Sequence, residues 1–512
     1  ARCPKRGEHA KGESGSDRHM APKLSLSLGI WLIGAQTASA IWKTTQTSIG
    51  SDNQAQLPNA TYLNQIPMMR PRISLSQLMG DTVYEFHHYV EDFGKKYSAS
   101  EFQTRSKIFH ENLAHIKAHN SRSDTTYKKH INMFTDLSNE EFRRVTRGFN
   151  HNRHLTHHTK QARNMKTDPK PEIINEEHAL KNRLPGKVNH TRLRELPKSI
   201  DWRTDYRTSK GIYMSVVTEA KNQGWCGSCW TFSVAEVLES RLAMATDGEH
   251  LLTLSEDQVL ACTKNPDHCG GTGGCDGATQ ALGFEYVKCS GGLRTETVAP
   301  YESFYGSNPT CSNNFLAGPV AGICGYKNLK INDYMDLIEA IQNGPVAISV
   351  DAGGHAWQHY TGGVLMNTKN DDGSFSCTGN IDHAVTLVGY GVENVGGKEV
   401  GYWLVRNSWG TEWGEDGYIK LERDPKALEK IDPKTGFPSS CQLDMHPEEG
   451  DACENDSLDP ILVCGTCGIL SGSSVPVGVH LIEDGDSSSK VCSKFEHTPK
   501  MEAQCITQED TE

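Results

Sequence analysis

Gln223-Gly224-Trp225-Cys226-Gly227-Ser228-Cys229-Trp230 is the stretch of this chain with the most chemistry in the fewest residues. Downstream of it, residues 231–245 place Phe232, Ala235, Leu238 and Leu242 at helical spacing, so Cys229 stands where a glycine-rich turn opens a buried helix. Unpaired N–H groups and the helix dipole at such a point favour a thiolate over a thiol. A reactive thiolate also needs a base, and Gln223 brings an amide donor able to stabilise an oxyanion. The same residues admit a plainer chemistry, because Cys226-x-x-Cys229 also fits a redox dithiol or half of a zinc site.

A base and its orienting partner are offered by a hairpin. Residues 384–390 and 401–405 are runs of strand formers, and 393–397 between them read as a turn from their Asn and Gly content. Centred on Val395, the hairpin sets His383 and Asn407 twelve residues to either side, and antiparallel pairing brings them together. One His and one Asn meeting across a hairpin are more commonly a structural pair. With Cys229 they complete a set of nucleophile, base and orienter.

The elements that must hold these residues fill a long chain. With 36% hydrophobic and 23% charged residues, the 512 residues can bury more than one core. Residues 41–195 carry a net charge of about +8, residues 196–478 about −18 and the last 34 about −5. A basic front half on an acidic back half suggests that the two dock, and the absence of basic, aromatic-interleaved patches argues against nucleic acid. Sixteen cysteines, all but Cys3 after residue 225, suggest an oxidising compartment. Setting aside Cys3 and Cys229 leaves fourteen, enough for seven bridges.

Residues 1–19 read as upstream sequence foreign to the natural protein. Met20, Lys23, the apolar run 24–34 and Ala38-Ser39-Ala40 read as a secretory signal peptide over 20–40, too short to span a membrane. A linker follows over 41–80. From 81 the pattern turns helical, first around Tyr84, His88 and 90–93, then from Glu101 to Asn120. In the second helix Glu101, Arg105, Phe109, Asn112, Ile116 and Asn120 follow steps of four, four, three, four and four, which keep them on one face. Residues 150–195 lose periodicity and gain His, Lys, Asn and Pro, including His151, His154, His157 and His158; a solvated linker outweighs a metal tract there. Ser255 caps a further helix over 254–260, and 346–350 read as a strand.

The octet resembles the active-site segment of the papain-like (cathepsin L-type) cysteine proteases, Q-G-x-C-G-S-C-W. In that resemblance Cys229 is the nucleophile, Gln223 the oxyanion donor and Cys226 a disulfide partner. Asp382-His383-Ala384 and Asn407-Ser408-Trp409-Gly410 resemble the family's second and third motifs, in which the Asn amide orients the imidazole and Trp409 covers that bond. The six residues from Glu101 to Asn120 resemble the ERFNIN signature of cathepsin L-type propeptides, and Asn132, Phe134 and Asp136 its following element, with His130 in the place of a Gly. The resemblance covers roughly 80–145 and 195–478.

It implies an α+β, two-domain fold, a helical left half headed by Cys229 and a β-barrel-like right half carrying His383 and Asn407, preceded by an inhibitory prodomain lying in the cleft. It implies an inhibitory propeptide over 81–145, a pro-linker with the processing site over 146–195, and a peptidase domain over 196–478 beginning near Leu196. Bridges are implied for Cys226–Cys275, Cys262–Cys311 and Cys377–Cys467. The family's substrate positions map onto Gly277, Ala278 (a departure from Gly), Thr279, Gln280, Ser349, Ile381, Asp382, Ala384, Trp409 and, at the floor of the P2 pocket, Gly472. None of the P2 residues is charged, so a bulky apolar P2 side chain is expected. No cofactor or metal is needed, and the expected partners are peptide substrates and the chain's own propeptide, on a monomer in a secretory, acidic or extracellular setting. From the charge split between a basic pro-segment and an acidic enzyme domain, and from the linker histidines, self-activation on acidification is expected, with cleavage within 185–196.

Beyond residue 423 an insertion of about 424–463, rich in Asp, Glu and Pro, departs from short papain-like chains. Cys441 and Cys453 there, with the Cys464-x-x-Cys467 that follows, allow a four-cysteine zinc site, with paired disulfides preferred. The acidic tail 479–512 resembles nothing familiar and reads as partly disordered. Asn59, Asn189 and Asn455 stand in N-x-S/T acceptor sequences. Two other classes remain beside the protease: an inactive binding protein on the same fold, and a Cys-rich metal or redox protein.

Overall fold

The computed structural model describes residues 70–147, 183–312, 315, 318–367, 375–450, 452–457, 459–483 and 491–492. The signal segment, Asn59, the linker histidines 151–158, Cys3 and Cys505 lie outside the described residues. No helix among the described residues is long and apolar enough to cross a membrane.

The N-terminal segment is built on α1 (Phe86–Asp92) and α2 (Ala99–Ser121). Ser98 caps α2 by accepting from the Glu101 N–H. The face read from the sequence is the one that packs: Phe109 and Ile116 are buried against Phe86, Tyr89 and Phe93. Its polar members each satisfy a specific partner. Asn112 donates to the carbonyls of Thr135 and Leu137, Asn120 exchanges two bonds with Lys129, and Arg105 pairs with both Glu101 and Glu141. Asp136 is buried and held by Lys95, Tyr89 and Tyr97. Removing one of these partners would strand a buried charge, a loss of about 3–5 kcal/mol. After strand β1 (Tyr127–Lys129) comes α3 (Asn139–Arg147).

The remaining body starts with a short helix α4 (His190–Glu195), capped by the exposed Asn189, and the strand β2 (Ile200–Asp201). Helix α5 (Cys229–Ala245) buries all but three of its residues, which is why its sequence is apolar nearly all round. It packs with α6 (Glu256–Cys262), capped by Ser255, and α7 (Gln280–Ser290) around one core. Two acids on α5 are buried as well: Glu236 meets Arg406 and the Thr386 hydroxyl, and Glu239 meets Lys221 and Thr218.

The second core lies on a sheet. Its strands are β3 (Gly325–Asn328), β4 (Val346–Val350), β5 (Tyr360–Leu365), β6 (His383–Val395), β7 (Lys398–Arg406), β8 (Tyr418–Glu422) and β11 (Ser473–Val477), in the order β1-β5-β8-β7-β6-β4-β11-β3, with β2 also on β6. Strand β1 of the N-terminal segment thus extends the sheet by pairing antiparallel with β5, Tyr127 opposite Gly363. A Cβ on Gly363, at φ +85°, would stand 2.6 Å from the Thr126 carbonyl oxygen, so only glycine lets the strand approach.

The hairpin β6–β7 departs from the sequence reading. Its turn is Gly396-Gly397, both with positive φ, and Val395 pairs with Lys398, so the centre lies beyond Val395. Two residues with φ > 0 make a tight turn whose twist suits the strands, and this outweighs the Asn at 394. A bulge between Leu404 and Val405 then shifts the register, so that Arg406 faces Thr386. His383 and Asn407 are consequently not directly opposite, yet their side chains still meet.

The insertion forms its own strand pair, β9 (Cys441–Asp444) with β10 (Ile461–Cys464). Its cysteines are in disulfides, Cys441–Cys464 and Cys453–Cys269, while Cys467 bridges to Cys377. The four-cysteine zinc alternative is thereby overturned, because those sulfurs are spent on covalent bonds. The bridges Cys226–Cys275 and Cys262–Cys311 are present. The beginning of the tail is ordered: His480-Leu481 pairs with Ala321-Gly322, and Cys492 bridges to Cys324.

Candidate active site

Cys229 is the first residue of α5, buried at 6% exposure, and the one cysteine among the described residues that is not in a disulfide. The turn before it needs glycine: at Gly224 (φ +63°) a Cβ would fall 2.2 Å from the Phe304 carbonyl oxygen. The opposite wall is β6, whose first residue is His383, and the Ala384 N–H points at the Cys229 sulfur across 3.5 Å. Cys229 and His383 line the same pocket.

His383 Nε2 lies 2.8 Å from Asn407 Oδ1. That oxygen also accepts from the Ser408 N–H at 2.8 Å, so it is the acceptor, and Nε2 carries the proton. The tautomer is thus fixed by the Asn. Trp409 stacks on the imidazole, ring centroids 4.9 Å apart, and shields the bond from water. Asn407 itself is fully buried and anchored where β7 ends, its N–H donating to the Gly417 carbonyl.

Gln223 is oriented by a residue the sequence reading passed over. The Ser408 hydroxyl donates to Gln223 Oε1 at 2.6 Å, which turns the amide NH2 into the cleft. There Nε2 donates to the Thr146 carbonyl at 2.7 Å and the Cys226 carbonyl at 2.8 Å. Thr146 belongs to α3, so the N-terminal segment reaches the site directly. On the same helix Phe142 packs edge-on against Trp409, as does Phe134 just before it. Asn132 donates to the Gln358 carbonyl, and Asn139 to that of Gly353.

The pocket beside Cys229 is lined by Gly277, Ala278, Gln280, Ser349, Ile381, Asp382 and Ala384, as the sequence suggested, together with Gly270, Glu449 and Gly450. Three expected members are elsewhere, one of them Trp409 on the His383 ring. Thr279 caps α7 with its hydroxyl, and Gly472 stands behind Ser349, accepting its N–H. Two unexpected ones come from the insertion, and Glu449 brings a carboxylate, so the expectation of an uncharged pocket is corrected. Nothing local in the sequence marks Glu449, because it reaches the site through a disulfide-clamped loop.

Several groups near the site have shifted ionisation. Burial raises Asp444, which accepts from the Ile381 N–H, to about 7. Burial also lowers His130 to about 4, and it lowers His359 well below its ordinary value, with His355, Lys129 and His115 adding repulsion. The His130 N–H donates to the His359 carbonyl, so both sit where the N-terminal segment meets the body.

Comparison with known proteins decides the family. Residues 196–439 match the family model described as Papain family cysteine protease, and residues 86–142 match Cathepsin propeptide inhibitor domain. The chain is 36% identical over 321 residues to germination-specific cysteine protease 1 of Arabidopsis thaliana, covering 62% of this chain and 72% of that protein. The chain belongs to the papain family of cysteine proteases.

This cysteine protease is also 35% identical over 328 residues to a KDEL-tailed cysteine endopeptidase of Arabidopsis thaliana, covering 64% of this chain and 76% of the relative. Among solved structures it is similar to a recombinant stem bromelain precursor, with TM-score 0.52 and 27% identity over 77% of this chain and 97% of that one. It is likewise similar to digestive procathepsin L 3 of Tenebrio molitor, with TM-score 0.50 and 26% identity over 79% and 100%. The protease therefore has the α+β papain-like fold with an inhibitory propeptide ahead of it, and is made as a zymogen.

Proposed function

We propose that the protease hydrolyses peptide bonds through Cys229, His383, Asn407 and Gln223. The observation that carries this is the His383–Asn407 bond at 2.8 Å, with His383 lining the same pocket as Cys229 at the N-terminus of α5. With Nε2 protonated and held by Asn407, Nδ1 is the nitrogen left to exchange a proton with the thiol. The Cys229 thiolate, favoured by the helix N-terminus and the imidazolium, attacks the scissile carbonyl carbon. Gln223 Nε2 and the Cys229 backbone N–H receive the oxyanion. As the C–N bond breaks, the proton on His383 passes to the leaving amine, and a thioester remains. Water attacks the thioester, giving its proton back to His383, and releases the acid with the thiol restored.

In the zymogen α3 reaches this cleft, and the Thr146 carbonyl takes the Gln223 donor. The six disulfides among the described residues support folding in an oxidising secretory compartment. Ala278, Ile381 and Ala384 give the pocket apolar walls that suit a bulky aliphatic P2 side chain. A monomer suffices, since all the proposed groups come from one chain. The exposed Asn189 and Asn455 are open to glycosylation.

The test is hydrolysis of a P2-Leu fluorogenic peptide by propeptide-free protein, beside Cys229→Ala. Loss of turnover and of thiol-directed epoxide labelling in the variant is expected. Turnover that survives Cys229→Ala would refute the assignment.

A further inference from the structure

The insertion carries a charge to the catalytic pocket and fixes it there. Residues 447–450 form a short turn whose last residues, Glu449 and Gly450, line the pocket with Cys229 and His383. The turn is fastened on both sides. Toward the sheet half, Asp444 accepts the Ile381 N–H, the Met445 N–H donates to Asn380, and Cys441–Cys464 closes the β9–β10 pair. Toward the helical half, Cys453 is bonded to Cys269, the Gly270 N–H donates to the Ala452 carbonyl, and Glu454 pairs with His268 at 2.6 Å. The Glu449 carboxylate therefore stands on a braced loop rather than on a free one, and its side chain is only 8% exposed.

In the zymogen that carboxylate holds a cation. Arg143 of α3 meets Glu449 at 3.0 Å, one helical turn before the Thr146 carbonyl that occupies Gln223. The pocket that this acid lines also has Ala278, Ile381 and Ala384 in its walls, beside the polar Gln280, Ser349 and Asp382. Apolar groups and a carboxylate in one pocket suit arginine and lysine, whose methylene stems pack on apolar surface while the charged head pairs. When the propeptide leaves, Arg143 leaves with it, and the carboxylate that it held is presented to whatever cation enters the pocket.

We propose that Glu449 is a specificity residue of the mature protease, receiving the guanidinium or ammonium of an arginine or lysine at P2, so that basic residues are accepted there beside aliphatic ones. Arg143 in the zymogen occupies the position that the substrate cation takes later. The proposal rests on the protease reading of this pocket.

The experiment uses the full chain, activated by removal of its propeptide, with fluorogenic peptides that differ only in Leu, Arg, Lys or Glu at P2. The P2-Arg peptide is expected to be cleaved with a kcat/KM within tenfold of the P2-Leu peptide. Glu449→Gln, which keeps the side-chain shape, should lower the Arg-to-Leu ratio of kcat/KM at least tenfold. Glu449→Lys should invert the preference between P2-Arg and P2-Glu, a change that loss of packing alone would not produce. An Arg-to-Leu ratio that moves less than twofold in both variants overturns the proposal and leaves Glu449 as a partner of Arg143 in the zymogen only. Cleavage of the P2-Leu peptide, abolished by Cys229→Ala, separates that outcome from failure of the protease reading; no cleavage of any peptide would sink both.

Discussion

Gln223 Nε2 donates to the carbonyl of Thr146 across 2.7 Å, so the amide aimed at the cleft is held by the propeptide helix. The contact ties inhibition to the same group that the proposed chemistry needs, and the amide becomes available to a substrate only when α3 moves.

The orientation of that amide depends on Ser408, whose hydroxyl donates to Gln223 Oε1. Ser408→Ala is expected to lower kcat by about 10- to 100-fold with little change in KM, since an oxyanion donor acts mainly in the transition state. Asn407→Ala should be milder than Cys229→Ala, because Asn407 orients the base and transfers no proton. Steady-state kinetics on activated protein check both, and an Asn407→Ala loss equal to that of Cys229→Ala would show its role to be misassigned.

Docking of the propeptide leans on aromatic contact with Trp409. Phe142 is fully buried, with its ring 5.2 Å from that of Trp409. Phe142→Ala is expected to weaken docking by about 3 kcal/mol. The full chain should then mature faster at pH 7, seen on denaturing gels as earlier loss of the propeptide. A rate equal to wild type would mean that α3 is held chiefly by its polar contacts.

Acid should loosen the same interface through histidines. His130 is lowered to about 4 and His359 well below its ordinary value, each chiefly by burial. His130 packs under the His359 backbone, while His355, Lys129 and His115 face the His359 ring. Once undocked and in water, these imidazoles return toward about 6.5. The undocked state then binds more protons, so docking is at full strength above about 6.5 and weakens as pH falls toward 4. Autoprocessing should accelerate over that window, and His130→Gln should flatten the pH dependence. Processing fastest at pH 7–8 would contradict it. Helix α4 occupies 190–195 within the expected cleavage region, so the new N-terminus should map to 183–189 or near Leu196, where the chain is not helical.

The enzyme body should have the opposite sign. Asp444 and Glu422 are each raised to about 7, in both cases first by burial. Folded protein holds these protons and unfolded chain releases them near 4, so this share of stability is full below about 4 and is lost as pH rises toward 7. Thermal unfolding of the activated form is expected to show a higher Tm at pH 5 than at pH 7.5, with the difference reduced in Asp444→Asn. A Tm that rises steadily to pH 7.5 would be the contrary result.

What the sequence determined by itself was local. Phe232, Ala235, Leu238 and Leu242 specify α5 because a buried helix must repeat its apolar residues, and that periodicity places Cys229 at its start. Ser255 and Ser98 mark helix starts because a hydroxyl can satisfy the free N–H groups there. The face from Glu101 to Asn120 was legible for the same reason. His383 and Asn407 were legible as a pair through the hairpin, although Gly396-Gly397 and the bulge at Leu404 moved its register. Only the tertiary structure decided the rest. Strand β1 joins β5 across more than two hundred residues, Arg143 meets Glu449 across three hundred, and Cys453 reaches Cys269 across 184. Such contacts leave no periodic trace, because their partners are chosen by where the folded chain carries a loop and not by spacing along it. The charge in the pocket is of that kind, and so is the occupation of Gln223 by Thr146.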